Sequence, residues 1–262
     1  MMTLSYAMRD TATMLWRDAQ HSLRYLPMTV SGILTPVIML VLFDYFFGGA
    51  LGSGVGGAAH GSYINYLAPG ILVMTVASGC ESTAVNLVTD LNENIITRFR
   101  TMAIAQSAVL AGTAVGSLIR SLLSITLVLA VALLMGFRPV TDPGAWVMAL
   151  GVVALFVFGV TWMGIVFGLV GKTPAGANSL SLLFLLLAFT SSAFVSTETM
   201  PAAVRWYADY QPFTPVINTL RGLLLGTPVS AGTLALAVAW SAGLALLGYL
   251  LSRLAYRRLA AR

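Results

Sequence analysis

Six apolar stretches, each close to the length of a helix that crosses a bilayer, fill the chain from about residue 26 to residue 251. They limit its fold more than any other feature. A helix rises about 1.5 Å per residue, so about 30 Å of hydrocarbon takes ~20 residues. The stretches run over about 28–47, 63–88, 108–137, 146–170, 177–195 and 230–251. Hydrocarbon offers no water to backbone N–H and C=O groups, and long apolar runs meet that constraint as helices. Of 262 residues, 58% are hydrophobic and 9% charged, and mean hydropathy is +0.88, whereas a soluble domain is about a quarter charged. The expectation is an all-α polytopic membrane protein with six transmembrane helices, forming a single transmembrane domain over 1–262.

The segments between the spans are the informative part. Leu4, Met8, Ala12, Leu15, Ala19 and Leu23 recur every three or four residues, opposite Arg9, Asp10, Arg17 and Asp18, which predicts an interfacial amphipathic helix over 1–26. No short apolar core with a small-residue cleavage site precedes the first span, so no removable signal peptide is expected. Gly48 to Gly61 is a glycine-rich linker, and Gly171 to Gly176 a tight connection. The polar segment 90–106 carries Leu91, Ile95, Phe99 and Met102 at helical spacing, beside Glu93, Thr97 and Arg100 on another face. A short amphipathic helix is predicted there, serving either as a lipid-surface helix or as a docking helix for a cytoplasmic subunit. Segment 197–229 is rich in proline, with Pro201, Pro212, Pro215 and Pro228.

Lys and Arg set the orientation. A cytoplasmic N terminus puts Arg9, Arg17, Arg24, Arg98, Arg100, Lys172, Arg253, Arg257, Arg258 and Arg262 inside and leaves Arg138, Arg205 and Arg221 outside, as the positive-inside rule requires. Six spans return the C terminus to the cytoplasm.

Several function classes are excluded by what the chain lacks. Its net charge of +5 lies in short segments beside the spans and forms no basic face, so nucleic acid is not an expected partner. Cys80 is alone, which excludes a disulfide framework or a thiolate metal cluster. His21 and His60 both fall outside the spans, so no His-ligated metal site and no intramembrane Ser-His protease is expected. Gly171-Lys-Thr173 has the end of a phosphate-binding loop, but Val166 stands where that loop needs glycine, and no strand precedes it. This chain itself is expected to bind no ATP, metal or other cofactor.

Two separated groups of residues carry a family likeness. Tyr66-Leu-Ala-Pro-Gly-Ile-Leu enters the second span, followed by Asp90-Leu, Ile96-Thr-Arg-Phe-Arg-Thr-Met and Ser107-Ala-Val-Leu. Near the other end stand Met200-Pro201, Trp206, Gln211-Pro-Phe-Thr-Pro215 and Leu220-Arg-Gly. In this order they resemble the ABC transporter type-2 permease family, particularly its daunorubicin-resistance-type branch, over nearly the whole chain. Asn94, Ala103 and Gln211 depart from the residues common there.

The resemblance implies a type-2 ABC exporter fold and the transmembrane permease subunit of an exporter of hydrophobic drugs, antibiotics or lipids. It implies that ATP and Mg belong to a separate cytoplasmic ATPase subunit, and that the helix bearing Glu93, Arg98, Phe99 and Arg100 is the coupling helix seated against it. It further implies that the segment bearing Pro201, Trp206, Pro212, Pro215 and Arg221 is a pair of short re-entrant helices on the outer side. Six spans are half of a two-fold exporter, so a second copy or a sister permease is expected. Gly159, Gly164 and Gly168 suit close helix packing, either between chains or within this one.

Charged residues inside spans are costly and therefore informative. Asp44 lies near the end of the first span, Glu81 within the second and Arg120 within the third. Glu81 and Arg120 are read as a structural pair or as lining the substrate route or the subunit interface, and Asp44 as reaching the headgroups. The same three residues would serve a proton-coupled secondary transporter, the rival function. A non-catalytic membrane subunit of another complex is the third.

Overall fold

The computed structural model describes residues 26–49, 63–92, 106–139 and 142–260. Eight α-helices lie among them: α1 (Leu26–Leu42), α2 (Tyr63–Asn92), α3 (Gln106–Leu134), α4 (Pro143–Gly171), α5 (Pro174–Phe189), α6 (Ala202–Tyr210), α7 (Phe213–Leu225) and α8 (Ala231–Ala260). The predicted coupling residues Glu93, Arg98, Phe99 and Arg100 lie outside the described residues, as does the helix predicted over 1–26 apart from Leu26.

Four helical stretches are long and apolar enough to cross a membrane: Tyr63–Asn92, Ala111–Leu134, Pro143–Gly171 and Ala231–Arg257. Leu34–Phe47 and Pro174–Phe189 are shorter apolar helices. The chain is a multi-pass, nearly all-helical membrane protein. The boundaries differ from expectation where local chemistry competes with the helix. α4 starts at Pro143 because the Asp142 side chain accepts from the N–H groups of Gly144 and Ala145 and proline suits the first helical position. α8 runs on through Arg253 and Arg257, whose long stems and high helix propensity let it continue past the apolar run.

α5 is the main departure. It spans 16 residues and ends at Phe189, whereas the apolar run predicted helix to residue 195. The Thr190 hydroxyl donates to the carbonyls of Leu186 and Leu187, and the Ser191 hydroxyl to that of Ala188. Short polar side chains bonding locally to the backbone offer an alternative to the next helical turn. At the end of α1 the helix changes to a π-helical turn, Phe43–Phe47, that includes Asp44.

α2 occupies the centre, and from Tyr63 to Ala77 every residue on it is buried. α4 lies against it at Gly164 and Gly168, where an added Cβ would come within 2.8 Å of the carbonyl oxygens of Cys80 and Ala84. On another side of α4, Gly159 meets the Ser241 carbonyl of α8 at 2.6 Å by the same measure, and Trp162 packs edge-on to Tyr249 at 5.2 Å. Apolar lipid supplies no drive for burying apolar helices, so close backbone approach at small residues carries the packing. These three glycines are therefore used within the chain. The remaining faces of α3 and α8 present Leu123, Leu127 and Leu134, and Leu246, Leu247 and Leu250, all exposed.

Candidate functional site

One end of the bundle gathers the start of α2, the end of α5, the short helices α6 and α7, and the π-helical turn. After Phe189 the chain turns irregularly through Thr190 to Ser196 and then makes a 3-10 turn at Thr197–Thr199. Non-helical backbone inside a membrane protein must find partners in the protein itself. Here one cation supplies many of them.

Arg221, on α7, is 8% exposed. Its Nη2 donates to the carbonyl oxygens of Ser192 (2.9 Å) and Tyr66 (3.1 Å), its Nε to Tyr66 again (3.3 Å), and its Nη1 to Asn218 Oδ1 (2.8 Å). The guanidinium carbon stands 3.6 Å from the centre of the Tyr66 ring. The planar, five-donor guanidinium suits this geometry, since it reaches three acceptors while stacking on an aromatic face.

Neighbouring groups complete the clasp. The Tyr66 hydroxyl donates to the Ser192 carbonyl (3.0 Å), the Ser192 hydroxyl to Asn218 Oδ1 (2.9 Å), and the Ser192 N–H to Thr214 Oγ1 (3.2 Å). Tyr63, one turn before Tyr66, donates its hydroxyl to the Phe194 carbonyl at 3.0 Å. Gly70 lets the loop approach α2, because a Cβ there would fall 2.6 Å from the Ala193 carbonyl oxygen. Two tyrosines on α2 and three polar residues on α7 thus hold the broken end of α5.

The proline-rich segment forms two helices joined at an elbow. Pro201 caps α6, Pro212 caps α7, and Pro215 lies in the first turn of α7, where a missing N–H costs least. Trp206 is 69% exposed on α6, which also carries an Arg205–Asp209 ion pair at 3.6 Å. Trp240, nine residues into α8, donates to the Tyr210 carbonyl at the elbow (2.8 Å). Gln211 is 4% exposed, and neither side-chain amide atom has a hydrogen-bond partner among the described residues.

Of the residues singled out from sequence, Arg221 is the one at the centre of a bonded cluster. Glu81 is half-buried on α2, fifteen residues beyond Tyr66 and so about 22 Å further along the helix axis. Arg120 is half-buried on α3. Tyr63, Ser192 and Asn218 were not singled out from sequence, and Tyr66 and Thr214 stood out only as members of the family-like motifs. The available signals were the Tyr63 to Tyr66 spacing, the Thr190-Ser191-Ser192 interruption of an apolar run, and Asn218 three residues before Arg221.

Comparison with known proteins supplies the family. The ABC-2 type transporter model matches residues 9–225. The daunorubicin resistance ABC transporter permease protein DrrB1 of Streptomyces coeruleorubidus is 32% identical over 225 residues, covering 84% of this chain and 77% of that protein. A putative transport permease, ycf38, of Porphyra purpurea is 24% identical over 80% of this chain and 72% of its own. A probable doxorubicin resistance ABC transporter permease protein, DrrC, of Mycobacterium tuberculosis is 20% identical over 87% of this chain and 81% of its own. With a family match over most of its length and a relative at this identity, the chain belongs to the ABC-2 type transporter family.

Proposed function

We propose that this chain is the transmembrane permease subunit of an ABC exporter that moves hydrophobic compounds across the plasma membrane, driven by a separate cytoplasmic ATPase subunit. The observation that carries the reading is the similarity, over most of the chain, to a daunorubicin resistance permease. A second copy or a sister permease completes the transporter, since the chain supplies half of a two-fold pore.

The reading includes six spans, with α1 and α5 as the two short ones, and both termini in the cytoplasm. Charge distribution along the whole sequence supports the orientation: ten of the Lys and Arg residues fall in segments on the side of Lys172 and Arg253, against Arg138, Arg205 and Arg221 on the side of the clasp. The clasp end is then external. Depth supports a re-entrant α6–α7 pair, because nine residues of α8 set Trp240, and the elbow bonded to it, about 14 Å below the start of that helix. Segment 90–106 is the coupling helix, with Glu93 and Arg100 fixing its register on the ATPase by charge and Phe99 anchoring it.

Membrane vesicles turned inside out, containing the chain and its co-purifying ATPase, should accumulate a labelled hydrophobic cargo only with ATP. Glu93→Lys and Arg100→Glu proteins should reach the membrane in normal amount and lose most of that ATP-dependent uptake. Unchanged uptake and unchanged ATPase capture in both would make segment 90–106 a lipid-surface helix. A stable one-to-one complex with a single ATPase subunit in native mass spectrometry would overturn the paired arrangement.

A further inference from the structure

One face of α8 changes character along its length. Leu246, Leu250, Arg253 and Arg257 follow one another at steps of four, three and four residues, so they share a stripe, and all four are exposed. Leu247 and Leu254 widen the stripe and are exposed as well. Helix rise sets the depths. Counted from Ala231 at about 1.5 Å per residue, Leu246 and Leu250 stand about 23 and 29 Å along α8, and Arg253 and Arg257 about 33 and 39 Å. Hydrocarbon is about 30 Å thick, so the leucines lie level with acyl chains and the arginines with the headgroups beyond them.

The turn that carries the arginines is held from behind. Ser252 is fully buried and donates its hydroxyl to the Tyr249 carbonyl at 2.8 Å, and Tyr256 packs with Leu87 of α2, Ala114 of α3 and Leu169 of α4. The Arg253 guanidinium carbon stands 5.6 Å from the centre of the Tyr249 ring, which is itself edge-on to the buried Trp162. A contact of this kind uses the face of a guanidinium and leaves its in-plane N–H fork for an oxyanion. Arginines in the last turns of a helix also balance its negative end. That balance needs no exposed leucines in register with them.

We propose that the stripe Leu246, Leu250, Arg253 and Arg257 is a binding site for an anionic phospholipid, with an acyl chain along the leucines and the phosphodiester between the two guanidiniums. Arginine gives phosphate two parallel charge-assisted bonds, and two arginines one turn apart can hold both unesterified oxygens. The leucines select a lipid over free phosphate. The match of apolar and basic residues to bilayer depth selects a lipid over the surface of a protein partner, which would require charge alone. The site goes beyond the exporter reading and does not depend on it.

The test is native mass spectrometry of the full-length chain released from nanodiscs of equal parts phosphatidylglycerol and phosphatidylcholine. Unmodified protein should retain phosphatidylglycerol about tenfold over phosphatidylcholine, and the Arg253→Gln/Arg257→Gln protein should retain the two about equally. Arg258→Gln/Arg262→Gln removes the same charge and should keep the preference. Arg253→Lys/Arg257→Lys keeps the charge without the fork and should lower the preference about threefold, which supplies a reading if the glutamine protein fails to accumulate. Excess glycerol phosphate, which has the headgroup phosphate without the chains, should displace nothing. An undiminished preference in the Arg253→Gln/Arg257→Gln protein, or in the lysine protein if the glutamine protein does not accumulate, overturns the site. An equal loss in the Arg258→Gln/Arg262→Gln protein overturns it in favour of bulk charge, and displacement by glycerol phosphate in favour of a free-phosphate site. Unchanged lipid retention with lost ATPase capture in the Arg253→Gln/Arg257→Gln protein makes the stripe a protein-docking surface and equally overturns the proposal.

Discussion

α2 is held in two physically different ways along its length. From Cys80 to Leu87 it lies against α4 by backbone contact, at Gly164 and Gly168. Around Tyr63 and Tyr66 it is held by directional hydrogen bonds and a stacked guanidinium, to a loop and a short helix. Packing at glycines gains from the sum of many short contacts, so it tolerates no added atom. A clasp of hydrogen bonds on an irregular loop is different, because its donors and acceptors can be exchanged one at a time. The glycine-lined half is the frame of the molecule, and the clasp half adds directional bonds to a single approach of the same kind, Gly70 against the Ala193 carbonyl.

The contrast is broken most severely at the frame. Gly168→Leu would force a side chain into the Ala84 carbonyl and the Leu87 side chain, with a Cβ already 2.8 and 3.0 Å from them. A loss of about 3 kcal/mol or more is expected from overpacking against backbone that cannot retreat. Quantitative blotting of membranes should show little accumulated protein.

Arg221→Gln comes next. It leaves the Tyr66 and Ser192 carbonyls without their charged donor, a loss of about 2 kcal/mol. The protein should accumulate, melt at lower temperature in detergent, and exchange amide hydrogens faster over residues 190–196 while 80–88 keeps its protection. Equal acceleration in both segments would erase the proposed distinction between frame and clasp.

Tyr66→Phe sharpens the comparison with the smallest change. It removes one hydroxyl bonded to the Ser192 carbonyl and keeps the ring under the guanidinium. About 1 kcal/mol is expected. A melting shift as large as that of Arg221→Gln would mean that the phenol, and not the guanidinium, holds the loop.

The sequence by itself determined the class of the molecule. Long apolar runs in a medium without water leave the helix as the local solution, so each apolar run described in the structure is helical over most of its length, and Gly171 to Gly176 marked a connection. Ordered motifs far apart in the chain carried the family, since they are read one residue at a time. What only the tertiary structure decided was which polar residues meet. Arg221 stood out as a charge, but its partners Tyr66 and Ser192 lie 155 and 29 residues away. The early end of α5 followed from hydroxyls whose local bonds compete with the helix, and the burial of Tyr63 to Ala77 on every side followed from α2 standing at the centre. Periodicity reports one face of one helix, whereas a clasp joins three segments whose distances in space are unrelated to their distances along the chain.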